Sequence, residues 1–388
     1  EFKNEKNKKK EVINFNDNGV CSACVYHEEK ETGIDWKDRD HKLRTLLNKF
    51  KRSDGSYDVI VPGSGGKDSA FTSHILKYKY GMNPLTVTWP PILYTDYGYK
   101  NYLNWVDKGG FDNIMYRPNS NIQKILTRLS ILNLMHPFQT FILGQKNLAP
   151  KIANKFGIKL VFFGENEAEY GNPIADNTKS IRKKSFYSAS NLNNLYLAGI
   201  KVSDLIKKYK ISMKDLMIFL PINEEEIKTK NMQIHYLGYY LKWIPQEAYY
   251  YAVENTNFKA RPFRTEGTYS KYNSIDDKID DLHYYTTGIK FGIGRASYDA
   301  AQEIRSGDID RDEGVALVKR FDHEFPERFI NELFEYLSLN KKEFPIANKM
   351  FEEPIMNLNY FNLLTDNFRS PHLWLYKDKT WQLRNPIK

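Results

Sequence analysis

The chain has 388 residues, of which 41% are hydrophobic and 27% charged, and its formal net charge is +9. That length has room for two domains with sizeable cores. No apolar run approaches the ~20 residues of a membrane-spanning helix, and residues 1–10 resemble neither a signal nor a transit peptide. We therefore expect a soluble, cytoplasmic protein without a membrane partner.

The basic balance fits either nucleic acid or phosphorylated small molecules as ligands. Residues 1–10 contribute five lysines against two glutamates, and the remaining charge is spread along the chain without an arginine-rich run. This distribution favours a lysine-rich solvated surface with phosphate ligands. We expect no nucleic-acid partner.

The first 52 residues form a candidate N-terminal arm. Its Cys21 and Cys24 are the two cysteines of the sequence and have C-x-x-C spacing, which argues against a disulfide framework. A tetrahedral zinc site needs four ligands, so His27 and His41 are candidates to complete one. The alternative is a pair of small residues in a loop without metal, and the spacing leaves both open.

Within this arm, residues 35–50 carry their apolar side chains at helical spacing. Leu43, Leu46, Leu47 and Phe50 recur on one face, which predicts an amphipathic helix. Such a helix would place the cysteine pair beside the domain that follows.

The next segment, residues 57–69, reads YDVIVPGSGGKDS. A β-branched run at Val59–Val61 predicts a strand, and the glycine-rich stretch Gly63–Ser69 follows at once. Beyond it, apolar side chains recur at the spacing of one buried helix face, at Phe71, His74, Ile75 and Tyr78. The prediction is strand, tight turn, helix.

This arrangement suits a phosphate chain. Glycines allow several backbone N–H groups to point at one anion, and the first turn of the helix adds free donors and the positive end of its dipole. Ser64 and Ser69 supply hydroxyl groups, and Lys67 supplies a positive charge. The spacing differs from that of the Walker loop. The alternative is an ordinary strand-to-helix turn that contains three glycines.

Strands and helices alternate after this turn. Apolar runs predict strands at residues 84–89, 113–117 and 158–163, and helical patterns occupy residues 99–109, 122–134 and a stretch ending near Phe156. Alternation of this kind predicts a doubly wound, mostly parallel α/β sheet. In such sheets ligands bind beyond the carboxyl ends of the strands. We therefore expect the Gly63–Ser69 loop, Thr88 with Trp89, and the Gly164–Tyr170 segment to converge.

The predicted α/β domain covers residues 53–265. Within it, residues 172–230 are polar and predict a mostly helical insertion, and residues 233–243 predict a further strand. A mainly helical region at 266–388 follows. It begins with a charged loop at 267–278, continues with helices over 279–339 that break near Gly307 and Pro326, and ends in an irregular tail from Pro371.

The loop sequence SGGKDS at 64–69 resembles the SGGxDS signature of the PP-loop ATP pyrophosphatases, which have the adenine nucleotide α-hydrolase-like fold. Most of residues 19–330 is similar to a narrower family, the N-acetyl sugar amidotransferases of bacterial surface-polysaccharide (LPS O-antigen) and nonulosonic (pseudaminic or legionaminic) acid biosynthesis. The matching segments are GVCSAC at 19–24, IDW at 34–36, LTVTW at 85–89, GFDN at 110–113, FGENEAEYG at 163–171, LGYYLKW at 237–243 and residues 267–309. The family usually carries an earlier C-x-x-C, which this sequence lacks.

The resemblance implies an ATP- and Mg²⁺-dependent reaction. AMP is placed on the acetamido oxygen of an N-acetylated sugar, and ammonia then replaces that oxygen to give an acetamidino group, AMP and pyrophosphate. By the same resemblance, a glutaminase supplies the ammonia through a barrel-like channelling subunit. Zn²⁺ at Cys21 and Cys24 is implied less directly, because the earlier cysteine pair is missing.

The candidate site residues fall into three groups. The ATP-binding candidates are Gly63, Ser64, Gly65, Gly66, Lys67, Asp68, Ser69, Thr88, Trp89 and Gly164. The catalytic candidates are Lys67, Asp68, Lys271, Asp276 and Asp277, and the substrate-binding candidates are Glu165, Asn166, Glu169, Tyr170, Lys290 and Arg295.

Each group beyond the loop has an ordinary structural alternative. Residues 165–170 could be a polar helix cap after a buried strand. The 267–278 loop could be surface turn chemistry with a helix N-cap at Asp276. Lys290 and Arg295 could be solvated charges between helices.

Two other functions fit parts of the sequence. One is a PP-loop enzyme that modifies tRNA by thiolation or by lysidine-type adenylation of a base, although no aromatic and basic strip for single-stranded RNA is evident. The other is a nucleotide-binding regulatory module without catalysis, which leaves the charged loop at 267–278 unexplained.

Overall fold

The computed structural model describes residues 13–170, 179–339 and 354–387. Its strands are β1 (Val59–Pro62), β2 (Pro84–Thr88), β3 (Asp112–Met115), β4 (Leu160–Phe163), β5 (Ser188–Ala189), β6 (Tyr196–Leu197), β7 (Ile200–Lys201), β8 (Ile222–Asn223), β9 (Gln233–Tyr236), β10 (Trp374–Lys377) and β11 (Thr380–Leu383). Its α-helices are α1 (Ser22–Thr32), α2 (Trp36–Phe50), α3 (Lys67–His74), α4 (Asp96–Gly109), α5 (Ser120–Leu134), α6 (Gln139–Phe156), α7 (Val202–Lys207), α8 (Met213–Leu216), α9 (Pro245–Thr256), α10 (Asp280–Phe291), α11 (Arg295–Ser306), α12 (Arg311–Phe321), α13 (Ile330–Leu337) and α14 (Leu358–Phe368).

Five strands form the central sheet in the order β3–β2–β1–β4–β9, and all neighbouring pairs are parallel. Ile60 of β1 is in register with Leu85 on one side and Val161 on the other. The chain builds outward from β1 in one direction and then restarts at β4 on the other side. The carboxyl ends of β1 and β4 therefore border the crevice where ligands bind in open α/β sheets.

Both faces of this sheet are covered, as the alternation of β1 side chains shows. Val59 and Val61 pack with Leu43 and Leu47 of α2 in one apolar cluster, whereas Ile60 belongs to a second cluster that includes side chains of α5 and α6. Successive side chains of a strand point to opposite faces, so a continuous apolar run is the pattern of a strand buried on both sides. The predicted α/β class is confirmed.

Short polar side chains set where several helices begin. Asp35 accepts hydrogen bonds from the backbone N–H groups of Lys37 and Asp38 ahead of α2, and Thr95 caps α4 through the N–H of Gly98. These caps satisfy donors that the first turn leaves free. Because of the cap at Thr95, α4 begins three residues earlier than the apolar pattern predicts.

The helix after the glycine-rich turn differs from its predicted form. It ends at His74 and continues as a π-helical turn over Ile75–Lys79. The wider turn breaks the 3.6-residue period. Ile75 is buried, but Tyr78 is 56% exposed, so the expected buried face does not extend to that residue.

Three other predictions are corrected. The described part of the 172–230 segment contains short helices and two-residue strands in place of a mostly helical insertion, and Leu197, Val202 and Leu205 within it join the main core. The strand predicted over 233–243 ends at Tyr236 and gives way to a 3-10 turn. The tail predicted to be irregular forms the β10–β11 hairpin, anchored by the buried Trp374.

Candidate active site

The loop between β1 and α3 is held close to the sheet and to α4. Gly65 has φ +90°, and a Cβ atom there would lie 2.5 Å from the Cα of Tyr102. A side chain at this position is therefore excluded both by its backbone conformation and by the backbone of α4. Gly66 differs, because its φ is −69° and a Cβ atom would find only the Ser64 hydroxyl, 3.9 Å away. Open space lies on the Gly66 side of the loop.

That space is a cavity of about 310 Å³ between the carboxyl ends of β1 and β4. Eight of the ATP- or substrate-binding candidates line it, namely Gly63, Ser64, Gly66, Asp68, Ser69, Trp89, Gly164 and Glu165. Gln145 and Leu148 of α6 complete one wall. The cavity is therefore placed where the switch in strand order predicts a ligand crevice.

A second cavity, of about 380 Å³, adjoins the first. Its walls come from the loop, from α6, from residues 272–284 and from α11. The two cavities have five lining residues in common: Ser64, Gly66, Asp68, Gln145 and Glu165. A group bound in one cavity is thus separated from a group in the other only by this shared wall.

The second cavity is rich in carboxylates, with Asp68, Glu165, Asp276, Asp277 and Asp280 among its lining residues. Burial, followed by the repulsion of the Asp68 carboxylate, raises the pKa of Glu165 to about 7. Burial also raises the pKa of Asp276, and it raises that of Asp280 well above its ordinary value with further repulsion from Asp276 and Asp277. Burial and mutual repulsion thus raise the pKa of several acids in one cavity, as at sites of acid–base chemistry.

Two cations face these carboxylates, and each has a partner of its own. Lys67 Nζ lies 2.7 and 2.9 Å from the carboxylate oxygens of Asp68. Arg295 Nε lies 2.8 Å from Asp299, and its Nη1 donates to the hydroxyl of Tyr284. The loop lysine is thus held beside the shared wall, with 8% of its surface exposed.

The segment after β4, residues 164–170, contacts both the second cavity and the N-terminal arm. Glu165 and Tyr170 line the second cavity, and Glu165 accepts hydrogen bonds from the Tyr170 hydroxyl and, at 3.0 Å, from Gln302 Nε2. Asn166 and Glu169 line neither cavity and are buried. Glu169 instead pairs with Lys30 of α1, so this part of the segment fastens the N-terminal arm to the sheet.

The charged loop before α10 folds over the carboxyl edge of the sheet. Asp277 is 1% exposed and accepts hydrogen bonds from the backbone N–H groups of Ile92 and Leu93. Burial raises the pKa of Asp277 to about 7, although these hydrogen bonds act to lower it. The alternative of a surface turn with an N-cap at Asp276 is wrong, because Ile279 occupies the N-cap position of α10 and Asp276 lines the second cavity.

Several predicted site residues lie away from both cavities. Lys271 is exposed and outside their walls, and Lys290 lies at the end of α10. Thr88 is fully buried within the sheet, where its hydroxyl accepts from Asn113 Nδ2 at 3.0 Å. Gly65 serves the close approach to α4. These positions shape or flank the site and do not line it.

Some lining residues carried no usable sequence signal. Gln145 lies within α6 and Gln302 within α11, each in an ordinary helical stretch. Tyr284 and His283 lie on α10 and reach the second cavity from the same helix. Asp280 could have been found, because it lies within the acidic stretch 276–281, whose first two members Asp276 and Asp277 were predicted as site residues.

The zinc prediction is not supported. Cys21 and Cys24 are free thiols, with Cys21 at the N-cap of α1. Over residues 13–170, 179–339 and 354–387, no three His, Cys, Asp or Glu side chains are grouped so that they could hold a metal ion. Since tetrahedral zinc needs four ligands, the two cysteines do not fit a zinc site with His27 and His41.

No helix in the described ranges combines the length and the apolar character that crossing a membrane requires.

Residues 266–388 match the family model described as LPS biosynthesis protein WbpG-like, C-terminal domain. Over 80 residues, the chain is also 30% identical to an uncharacterized protein of Methanocaldococcus jannaschii. That match covers 21% of this chain and spans 28% of the length of the curated relative.

Three solved structures are similar to parts of the chain. The NH3-dependent NAD synthetase of Campylobacter jejuni is 19% identical, with 35% of this chain and 59% of that chain covered and a TM-score of 0.27. The NMN synthetase of Francisella tularensis is 16% identical over 33% and 54% of the two chains, with a TM-score of 0.25. A predicted subunit of a tRNA methyltransferase from Methanocaldococcus jannaschii is 19% identical over 42% and 74%, with a TM-score of 0.23.

Proposed function

The chain carries a C-terminal domain of the WbpG-like family of LPS biosynthesis proteins, and from that premise we propose that it is an ATP-dependent sugar amidotransferase. The reaction adenylates the acetamido oxygen of an N-acetylated sugar. Ammonia-derived nitrogen then replaces that oxygen, and the products are an acetamidino sugar, AMP and pyrophosphate. The observation that carries the proposal is the wall shared by two adjoining cavities.

The first cavity is the proposed nucleotide site. The open side of Gly66, the hydroxyls of Ser64 and Ser69, and the start of α3 all border it. Free N–H groups and the dipole at a helix N-terminus favour an anion. We assign this wall to the pyrophosphate that leaves first, because its charge rises as the bond to the α-phosphorus breaks.

The second cavity is the proposed sugar site. An acetamido oxygen placed there lies next to the shared wall, on whose other side the α-phosphorus of ATP is bound. The two reacting groups are then held close together, as catalysis by proximity requires. Attack by this oxygen forms the O–P bond and releases pyrophosphate. Ammonia then attacks the activated carbon, and AMP departs with the former amide oxygen. The carbonyl oxygen of an amide leaves poorly by itself, which is why adenylation precedes amination.

Glu165 is the proposed general base of the second step. It lies in the shared wall, and a carboxyl with a pKa of about 7 can accept a proton near neutral pH. The incoming nitrogen must lose protons as it becomes part of the amidine. Gln302 and Tyr170 hold the carboxyl of Glu165 in place for that transfer.

Mg²⁺ is the proposed metal of the nucleotide. It is usually held by substrate phosphates and one or two carboxylates, and Asp68 is a carboxylate in the wall of both cavities. When bound, the ion neutralises charge on the phosphates. Lys67, ion-paired to Asp68, adds a second positive charge beside the same wall.

The ammonia source is proposed to be a separate glutaminase with a channelling subunit. A glutaminase needs a nucleophile, commonly a cysteine with an adjacent base. Both cysteines of this sequence lie in the arm, and neither lines the cavities. Free ammonium should therefore replace glutamine in a reaction with this chain alone.

The test combines the full chain with ATP, Mg²⁺, ammonium and a panel of N-acetylated sugars. The expected result is sugar-dependent release of AMP and a product lighter by ~1 Da, since NH replaces O in the adenylation route. A matched variant, Asp68→Asn, should lose this activity, whereas Asp107→Asn on the exposed side of α4 should keep it. Release of ADP, or sugar-independent turnover stimulated by tRNA, would exclude the proposed reaction.

A further inference from the structure

A further cavity lies at the opposite edge of the sheet from the candidate active site. Its volume is about 630 Å³. Asp58 just before β1, Lys159 just before β4 and Gln233 at the start of β9 line it. Asp58 and Gly63 are separated by five residues, so the two sites are roughly 16 Å apart along an extended strand. We call this cavity the basic cleft.

The lining of the basic cleft is strongly cationic. Four basic side chains line it, namely Lys49, Lys51, Arg52 and Lys159. Asp58 is the one carboxylate among the lining residues. Lys49 lies in the last turn of α2, where a cation offsets the helix dipole. Lys51 is the C-cap residue of the same helix, and Lys159 lies just before β4. Both are exposed and, in the part of the chain that the structure describes, neither has an ion-pair partner.

Arg52 is held in place at the rim of the cleft. Its Nη1 donates to the Ser56 hydroxyl at 2.9 Å and to the carbonyl of Tyr57 at 3.3 Å, and its Nη2 donates to the carbonyl of Gly157 at 3.1 Å. These bonds tie the α2–β1 connection to the α6–β4 turn. A guanidinium has five N–H donors, so donors remain for a ligand while the group stays in one orientation.

The single carboxylate does not neutralise these cations. Asp58 is 3% exposed, and its Oδ1 accepts a hydrogen bond from the backbone N–H of Asn83 at 2.9 Å. Asp58 is thus engaged by the β1–β2 pairing and also interacts with the charge of Lys51, but one carboxylate offsets only one of the four positive charges. The remaining walls include apolar side chains, Phe50, Ile181 and Met232. A site of this volume that combines cations with an apolar wall suits a small organic anion.

We propose that the basic cleft binds a small molecule with two or more phosphate groups, in which Lys51, Arg52 and Lys159 contact the phosphates and Phe50 and Met232 contact an apolar or aromatic part. Phosphate groups match the geometry of a fixed guanidinium and the charge of flexible ammonium groups. The site is separate from the proposed active site and does not depend on the proposed function.

The first test reads out each lysine separately. The full chain is treated with a limiting amine-acylating reagent at increasing concentrations of inorganic pyrophosphate or of ADP, and the modification of each lysine is measured by peptide mass spectrometry. Lys51 and Lys159 should be protected with one common midpoint. Lys319, exposed on α12 and without an ion-pair partner in the described ranges, is the internal control and should stay reactive. Occupancy of the active site does not affect this readout.

The second test uses charge reversal. The double variant Lys51→Glu/Lys159→Glu should weaken ADP binding at the cleft by at least tenfold in calorimetry while leaving the active-site binding event unchanged. Lys319→Glu should change neither. Tighter binding of ADP than of pyrophosphate indicates a contribution from the apolar wall, whereas orthophosphate should bind more weakly than both.

Three results would overturn the proposal. The first is equal modification of Lys51, Lys159 and Lys319 at every ligand concentration. The second is a single ADP-binding event in the wild type that the double variant retains unchanged. The third is protection by polyglutamate but by neither pyrophosphate nor ADP, which assigns the cleft to an acidic protein segment instead.

Discussion

Lys30 and Glu169 form a buried ion pair that joins the N-terminal arm to the segment following β4. Lys30 Nζ lies 2.9 Å from both carboxylate oxygens of Glu169 and donates a third hydrogen bond, also of 2.9 Å, to the carbonyl of Trp243. Arg305 of α11 reaches the same segment through the carbonyl of Glu169. The position of Glu165, four residues earlier, therefore depends on contacts with three distant parts of the chain.

Lys30→Met should destabilise the protein by about 3–5 kcal/mol, because it leaves the Glu169 carboxylate buried without its partner. Urea unfolding monitored by tryptophan fluorescence measures this change. The double variant Lys30→Met/Glu169→Gln should recover part of the loss. Lys42→Met, which breaks an exposed pair with Asp38 in α2, is the matched control and should cost at most about 0.5 kcal/mol. Equal effects of the two single variants would contradict a special role for the buried pair.

Gly65→Ala should lower the stability of the protein, whereas Gly66→Ala should weaken ATP binding without changing stability. Alanine at Gly65 meets both a positive φ and the backbone of Tyr102, so the free energy of unfolding should fall by about 1–3 kcal/mol. Alanine at Gly66 meets no atom closer than 3.9 Å and an ordinary φ. That variant should unfold like the wild type but bind ATP at least tenfold more weakly, as measured by calorimetry. Unimpaired ATP binding by Gly66→Ala would place the phosphates elsewhere.

AMP release should increase with pH through about 7 if Glu165 acts as a base. Burial and the neighbouring Asp68 raise the pKa of Glu165 to about 7, so its carboxyl is neutral below that value and accepts a proton only above it. The rate of sugar-dependent AMP release at saturating ammonium, measured as a function of pH, tests for this rising limb of the pH profile. Glu165→Gln should lower the rate at pH 8 and remove the limb. A profile of Glu165→Gln that retains the wild-type shape would assign the proton transfer to another group.

Asp280→Asn should stabilise the protein increasingly as the pH rises. Burial and three neighbouring carboxylates raise the pKa of Asp280 well above its ordinary value, so the folded state keeps a proton that the unfolded state loses near ~3.9. Wild-type stability contributed by this group is complete below that pH and is lost as the pH rises through the folded pKa. Asparagine does not titrate, so the difference in the free energy of unfolding should be close to zero at pH 4 and grow toward pH 8.

Asp107→Asn on exposed α4 is the control for this series and should show no comparable change with pH. Chemical unfolding at several pH values measures both variants. A constant difference between wild type and Asp280→Asn across the range would mean that the carboxyl of Asp280 is ionised throughout.

The α/β class and the glycine-rich turn were predictable from the sequence because their causes are local. The β-branched run Val59–Val61 is the pattern of a strand covered on both faces, and the glycines that follow it specify where the backbone turns. The helix start at Asp35 likewise follows from a side chain that bonds to the N–H groups two and three residues away. Interactions between residues so close in sequence do not depend on how the rest of the chain folds.

The membership of the site was decided by tertiary structure. Trp89 lines the first cavity and the adjacent Thr88 does not, because successive strand residues face different surroundings. Gln145 and Gln302 reach the shared wall and the Glu165 carboxyl from helices whose sequences mark neither residue. Lys271 lies in the charged loop yet remains exposed.

The sequence by itself determined the strand, the turn and the helix that can hold a phosphate, since each depends on neighbours within a few residues. Only the tertiary structure determined which acids crowd one cavity, that Lys30 is buried against Glu169, and that Lys51, Arg52 and Lys159 meet at the opposite edge of the sheet. Lys30 and Glu169, for example, are 139 residues apart in the sequence. Strand order and helix packing bring them together, and no local pattern encodes that order.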